Sequence, residues 1–78
     1  MKLSDMVVGN KYLVGDGGGD DIVTCLSHLT QQEIVDFLGE DTFRGVAVKV
    51  MVSHKNGDYE DVFYEAYESS FSLYIEPR

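Results

Sequence analysis

Between residues 45 and 68 the apolar and polar positions alternate over two runs that flank Asn56-Gly57. The first is Gly45-Val46-Ala47-Val48-Lys49-Val50-Met51-Val52, and the second, residues 59–68, is centred on Val62-Phe63-Tyr64. A period of two broken by Asn-Gly predicts a long β-hairpin. Its register matters, because a slip of one residue sends every side chain to the other face. A two-residue turn at Asn56-Gly57 sets Val48 opposite Glu65 and Val52 opposite Asp61, which puts carboxylates in the valine row. A three-residue loop Lys55-Asn56-Gly57, a type I turn followed by a left-handed glycine, sets Val50 opposite Val62, Val48 opposite Tyr64 and Val46 opposite Ala66. The cost of burying a carboxylate selects the second register. Val46, Val48, Val50, Val52, Val62, Tyr64 and Ala66 then form a core face. Ala47, Lys49 and Met51 lie with Tyr59, Asp61, Phe63, Glu65 and Tyr67 on the other.

Shorter patterns place the remaining elements. Ser4 and a short apolar run predict a helical turn or arm over 3–8, and Gly9-Asn10 turns the chain into a strand over 11–14. Gly15-Asp16-Gly17-Gly18-Gly19-Asp20-Asp21 reads as a connector, because glycine loses the most backbone entropy on ordering. A second strand covers 22–28, with Ile22, Thr24 and Leu26 on one face and Val23, Cys25 and Ser27 on the other. In Leu29-Thr30-Gln31-Gln32-Glu33-Ile34, Thr30 is placed as N-cap, Glu33 as its capping-box partner and Leu29 as a staple against Ile34. The helix stops at Gly39, with Ile34, Phe37 and Leu38 as the stripe laid on the sheet. After Glu40-Asp41-Thr42, Phe43 is a core candidate. Ser69-Ser70 turns the chain into a last strand, in which Phe71, Leu73 and Ile75 point one way and which Pro77 ends. The expectation is one α+β domain, residues 1–78. It is a small, strongly twisted antiparallel sheet or partly open barrel of about five strands, with one short helix between strands 2 and 3.

Val8-Gly9-Asn10-Lys11-Tyr12-Leu13-Val14 resembles the opening of many small SH3-like barrel proteins, short phage-encoded ones included, in which a Val-Gly turn leads into the first strand. The resemblance implies a small barrel. A helix before the long hairpin departs from that pattern.

Composition narrows the function. The 78 residues are 44% hydrophobic and 12% aromatic, enough for a packed core. A single cysteine forbids an internal disulfide, so a bridge-stapled secreted scaffold is excluded and a reducing cytoplasm is expected. No apolar run approaches the roughly 18 residues of a membrane span, and the opening residues lack the order of a signal peptide. Fourteen acidic against six basic residues give a net charge of -8. Such a charge repels nucleic-acid backbone and anionic lipid and attracts a basic partner.

The chemistry-bearing residues assemble into no catalytic constellation. Cys25 and His28, at odd spacing on a strand, are expected on opposite faces, with Cys25 buried and inert and His54 exposed by the turn. One cysteine and two separated histidines are too few for a zinc site. Glu40-Asp41 and Glu60-Asp61 are neighbours that face apart on a strand. Asp16, Asp20 and Asp21 suggest a cation loop, but the alternating ligands and distal glutamate of an EF-hand are missing. A phosphate cradle would need a helix N-terminus and fewer aspartates. No enzyme, metal or cofactor is therefore expected.

The aromatic and acidic hairpin face carries the functional expectation. Either the helix covers Phe63 and Met51, with Lys49 paired between Asp61 and Glu65, or the face is open and grips a partner. Tyr59, Asp61, Phe63, Glu65 and Tyr67, with Asp58 and Glu60, are then the partner surface. The leading expectation is a protein-interaction module occupying a basic, nucleic-acid-binding site on a larger protein, for example a phage-encoded inhibitor of a host or defence factor. Carboxylates two apart on a strand face lie roughly 6.6 to 7 Å apart, the scale of neighbouring phosphates. One alternative is a small-ligand domain or sponge in which the loop of Asp16, Asp20 and Asp21 folds over a compound against Tyr59, Phe63 and Tyr67. The other is a homo-oligomeric structural component. A monomer or homodimer, with no direct contact to nucleic acid or membrane, is expected.

Overall fold

The computed structural model describes residues 1–15, 19–70 and 72–78. In chain order come a 3-10 turn (Leu3–Asp5), β1 (Lys11–Gly15), β2 (Asp20–His28), α1 (Gln31–Leu38), β3 (Gly45–Ser53), β4 (Tyr59–Ala66) and β5 (Tyr74–Pro77). The strands form one antiparallel sheet in the order β4-β3-β2-β1-β5. β1 to β4 are a meander, β5 returns beside β1, and the sheet is not closed. The fold is thus α+β, with its helix between the second and third strands, as the periodicity predicts.

The register of β1, β2, β3 and β5 brings the apolar alternate positions to one face. Tyr12 and Val14, Val23 and Cys25, Val48, Val50 and Val52, and Ile75 gather there and are buried together with Leu3 and Met6 from the N-terminal arm. Each fully buried valine contributes about 1.5–3 kcal/mol relative to exposure, so the row on β3 is a principal source of stability. The arm is held by polar contacts. Val7 N–H donates to the Tyr12 hydroxyl at 2.7 Å, His28 Nε2 lies 2.6 Å from the Met6 carbonyl oxygen, and Gly9 N–H donates to the Cys25 carbonyl at 2.8 Å. Gly9 makes the bend into β1 at φ +90, where a side chain would be strained.

The helix follows its sequence signals closely. The Thr30 side chain accepts from Glu33 N–H at 3.2 Å, and Glu33 Oε1 accepts from Thr30 N–H at 3.0 Å. Gly39 closes the helix at φ 70, donating its N–H to the Val35 carbonyl. Of the expected stripe, Ile34 is buried and Leu38 half-buried. Phe37 stays 52% exposed and meets the Tyr64 ring edge-on. Phe43, half-buried, meets Tyr64 from a second side. Tyr64 therefore lies on the helix side of the sheet, away from the valine row.

Four expectations are corrected. The hairpin pairs Val50 with Asp61, Val48 with Phe63 and Val46 with Glu65, one residue away from the register expected. The turn chemistry is as anticipated, with Gly57 N–H donating to the His54 carbonyl and Gly57 at φ 118, but the ladder ends at Val52–Tyr59. Asp61, Phe63 and Glu65 consequently share the valine face, and Val62, Tyr64 and Ala66 share the helix side. The cost that argued against this register does not arise, because β4 is an edge strand and no polar or charged residue is buried among those described.

Second, β2 carries a bulge between Cys25 and Ser27, which pairs His28 with Val48 and returns it to the face of Cys25. Third, Lys49 pairs with Glu60, at 3.4 Å, rather than with Asp61 and Glu65, because it faces the helix side with Val62. Fourth, β5 runs over Tyr74–Pro77 instead of 71–75, and Pro77 sits within it opposite Tyr12, a position an edge strand tolerates. Leu73 still packs against the core and Ile75 is buried; Phe71 lies outside the described residues.

Candidate functional site

The corrected register decides what the acidic and aromatic residues of β4 do. Alternation along one strand keeps Tyr59, Asp61, Phe63 and Glu65 together, as their spacing predicts. The structure turns that set toward the core side, where Phe63 packs against the valine cluster and Glu65 lines a groove with Leu3 and Val46. Asp61 is exposed and Glu65 half-exposed.

The remaining members scatter. Tyr59 is 46% exposed and stacks edge-on against His54. Asp58 Oδ1 accepts from His54 N–H within the turn. Glu60 points to the helix side and pairs with Lys49. Tyr67 lies past the end of β4, and its N–H donates to the Arg44 carbonyl. The reading in which the helix covers Phe63 and Met51 does not hold, since the helix and Phe63 lie on opposite sides of the sheet.

Phe63 meets a different set of residues. Together with Val14 and Leu73 it forms the apolar part of a cleft of about 430 Å³, whose remaining lining is Gly15, Gly19, Asp20 and Asp21. β1 and β2 bring these residues in through the pair Gly15–Asp20 and the pair Val14–Asp21. A Cβ on Gly15 would run into the Asp20 carboxylate, so the glycine leaves room for that group beside the cleft. Asp20 and Asp21 are exposed, whereas Val14 is buried and Phe63 and Leu73 are half-buried. The result is an apolar floor under an acidic rim. Asp20 and Asp21, expected in the connector, are instead the first two residues of β2, paired with Gly15 and Val14, and Asp16 lies outside the described residues. Among the described residues no group of three His, Cys, Asp or Glu is placed to hold a metal ion.

Cys25 and His28 share a face but have separate partners. Burial pushes the Cys25 thiol up from its ordinary pKa, which keeps it protonated and unreactive at neutral pH. His28 Nε2 is engaged by the Met6 carbonyl.

Sequence reasoning missed the role of Val14 and Leu73 at the cleft. In the sequence both are ordinary strand residues, and only the folded sheet brings them to Phe63 across the two intervening strands. No helix of the described residues is long and apolar enough to cross a membrane. Comparison with family models, with curated proteins and with solved structures finds no match in any of the three.

Proposed function

We propose that this chain is an acidic binding module that takes a basic segment of a larger protein and so occupies a site that otherwise meets nucleic acid. The observation that supports this most is the cleft of Val14, Phe63 and Leu73 under Asp20 and Asp21, with Asp61 and Glu65 on the same face of β4. An apolar floor accepts the stem of a lysine or arginine, and the carboxylates at the rim meet its charged head. The net charge of -8 steers such a partner in at low salt. A phage-encoded inhibitor acting in the cytoplasm, as monomer or homodimer, is the setting this reading implies. The likeness of residues 8–14 to the opening of small SH3-like barrels belongs to the same proposal.

The test is retention of lysate proteins on the immobilised chain at low and high salt, in parallel with the Asp20→Asn, Asp21→Asn double variant. Salt-sensitive retention that the double variant loses supports the reading. Retention of nothing at low salt, or equal retention by the variant, overturns it.

The same cleft favours a second reading, a small-ligand domain, because its volume lies in the range of about 300–1,000 Å³ typical of ligand pockets. A thermal-shift screen with small amines, nucleotides and divalent ions separates the two. A ligand that binds only the folded chain at 100 times its dissociation constant adds about 2.7 kcal/mol of stability.

A further inference from the structure

β4 ends the sheet, and the direction of its hydrogen bonds is known. Tyr67 N–H donates to the Arg44 carbonyl at 3.0 Å, and the register continued from Gly45–Ala66 sets 44 opposite 67, so this position is one at which the backbone groups of both strands face each other. The uninterrupted register alternates from there, so Glu65, Phe63, Asp61 and Tyr59 turn their backbone groups toward β3. Glu60, Val62 and Tyr64 turn theirs outward, to an edge with which no strand pairs among the described residues. One of these outward groups already has a substitute partner. Asp61 Oδ1 accepts the Val62 N–H at 2.8 Å, standing where a neighbouring strand's carbonyl oxygen would be.

We infer that the outer edge of β4 is a strand-addition site for an extended basic segment of a partner protein, which pairs with the outward backbone groups of Glu60, Val62 and Tyr64. The inference rests on the acidic-module reading and names how the partner is held. Charge selects the occupant. The sequence along the edge is Glu60-Asp61-Val62-Phe63-Tyr64-Glu65, and Asp61 and Glu65 flank Phe63 on one face. A second copy of β4 laid along this edge would add Glu60, Asp61 and Glu65 to the same three carboxylates, and this gathering of like charge disfavours self-pairing at low salt. A strand with lysines opposite Glu60, Asp61 and Glu65 and valines opposite Val62 and Phe63 satisfies both the charges and the apolar pair. Its main chain supplies affinity and its alternating side chains supply selectivity. On docking, its carbonyl takes the Val62 N–H, and the Asp61 carboxylate is released to a lysine.

The probe is a blocked peptide, Lys-Thr-Val-Val-Lys-Lys, compared with the same peptide N-methylated at the backbone amides that would face β4. N-methylation keeps every charge and removes the pairing. Binding is followed by amide NMR and by hydrogen exchange. The expected result is protection of the Val62 and Tyr64 amides by the first peptide, with binding weakened about tenfold or more by N-methylation, the worth of one to two lost main-chain bonds. Val62→Pro gives a second arm. Proline removes only an outward N–H on an edge strand, so the fold is kept and the peptide is lost. Equal binding of the two peptides, or undiminished binding to a folded Val62→Pro variant, overturns strand addition and leaves the acidic-surface reading standing. No binding of either peptide at low salt overturns both. Sedimentation of the unliganded chain as a dimer that disappears in Val62→Pro assigns the edge to a second copy and overturns the basic partner.

Discussion

β3 and β4 share one turn and are paired from Gly45–Ala66 to Val52–Tyr59, yet Val48, Val50 and Val52 are fully buried whereas no residue of β4 is. The difference comes from position in the sheet. β3 has a strand on each side and the N-terminal arm over its valine face, while β4 has a neighbour on one side only. A carboxylate at a valine-row position of β3 would be sealed from water. Asp61 and Glu65 occupy such positions on β4, and water still reaches them. The alternation of a strand states which residues share a face, and strand order decides what that face costs.

The sharpest way to break this comparison is to exchange the two chemistries across one pair. Val50→Asp places a charge at a site with 0% exposure and should leave no cooperative thermal transition, since an unpaired buried charge outweighs the roughly 5–15 kcal/mol that holds a domain together. Asp61→Val, directly opposite, should retain the fold and cost under about 1 kcal/mol, readable as a small change in urea midpoint. The reverse ranking would mean that β4 is not an edge. A smaller effect is expected at the foot of the hairpin. A Cβ on Gly45 would run into the Glu65 carbonyl oxygen and lie 2.7 Å from the Phe43 ring and 2.9 Å from the Ala66 Cα, so the β4 backbone must shift and Gly45→Ala should cost about 3 kcal/mol or more and lower Tm by about ten degrees. Ala66→Gly, its exposed partner, should cost no more than about 1 kcal/mol.

The smallest expected effect compares buried chemistry with exposed chemistry by pH. Because burial raises the Cys25 thiol, the unfolded chain loses this proton first as pH rises. Below the ordinary thiol value of about 8.5 both states hold it and stability is unaffected. Above that value stability falls by up to about 1.4 kcal/mol per pH unit until the folded thiol also ionises. Urea titrations at pH 7 to 10 should show this added slope in the wild type and lack it in Cys25→Ala.

Local signals were legible wherever one short stretch contains both partners. Thr30, Glu33 and Gly39 define the helix by contacts within nine or ten residues of chain, and Asn56-Gly57 places the hairpin. The hairpin register was not legible. Alternation alone makes any carboxylate beside the valines look buried, and only the unpaired edge of β4 removes that cost. The bulge in β2 escaped for a related reason. An uninterrupted strand keeps its phase, whereas here Val23 and Cys25 face the core and His28 rejoins them only because one residue is unpaired. The cleft was half legible. Asp20 and Asp21 stand out by composition and Phe63 by alternation, but Phe63 meets Val14 and Leu73 from the far edge of the sheet, across two intervening strands, which no local pattern encodes.

The N-terminal arm carries a consequence for the order of events in folding. Leu3 and Met6 are buried on a surface that exists only once the strands are paired, with the 3-10 turn lying against β3 and β4, and the bonds that hold the arm reach Tyr12, Cys25 and His28. Such contacts reward the chain only after the sheet has formed, so the arm is expected to dock late and to detach first, and its amides should then exchange before those of the sheet. Each detachment opens the valine row to water without unpairing any strand. The arm thus sets how often the interior is exposed, while the sheet sets how firmly it is built.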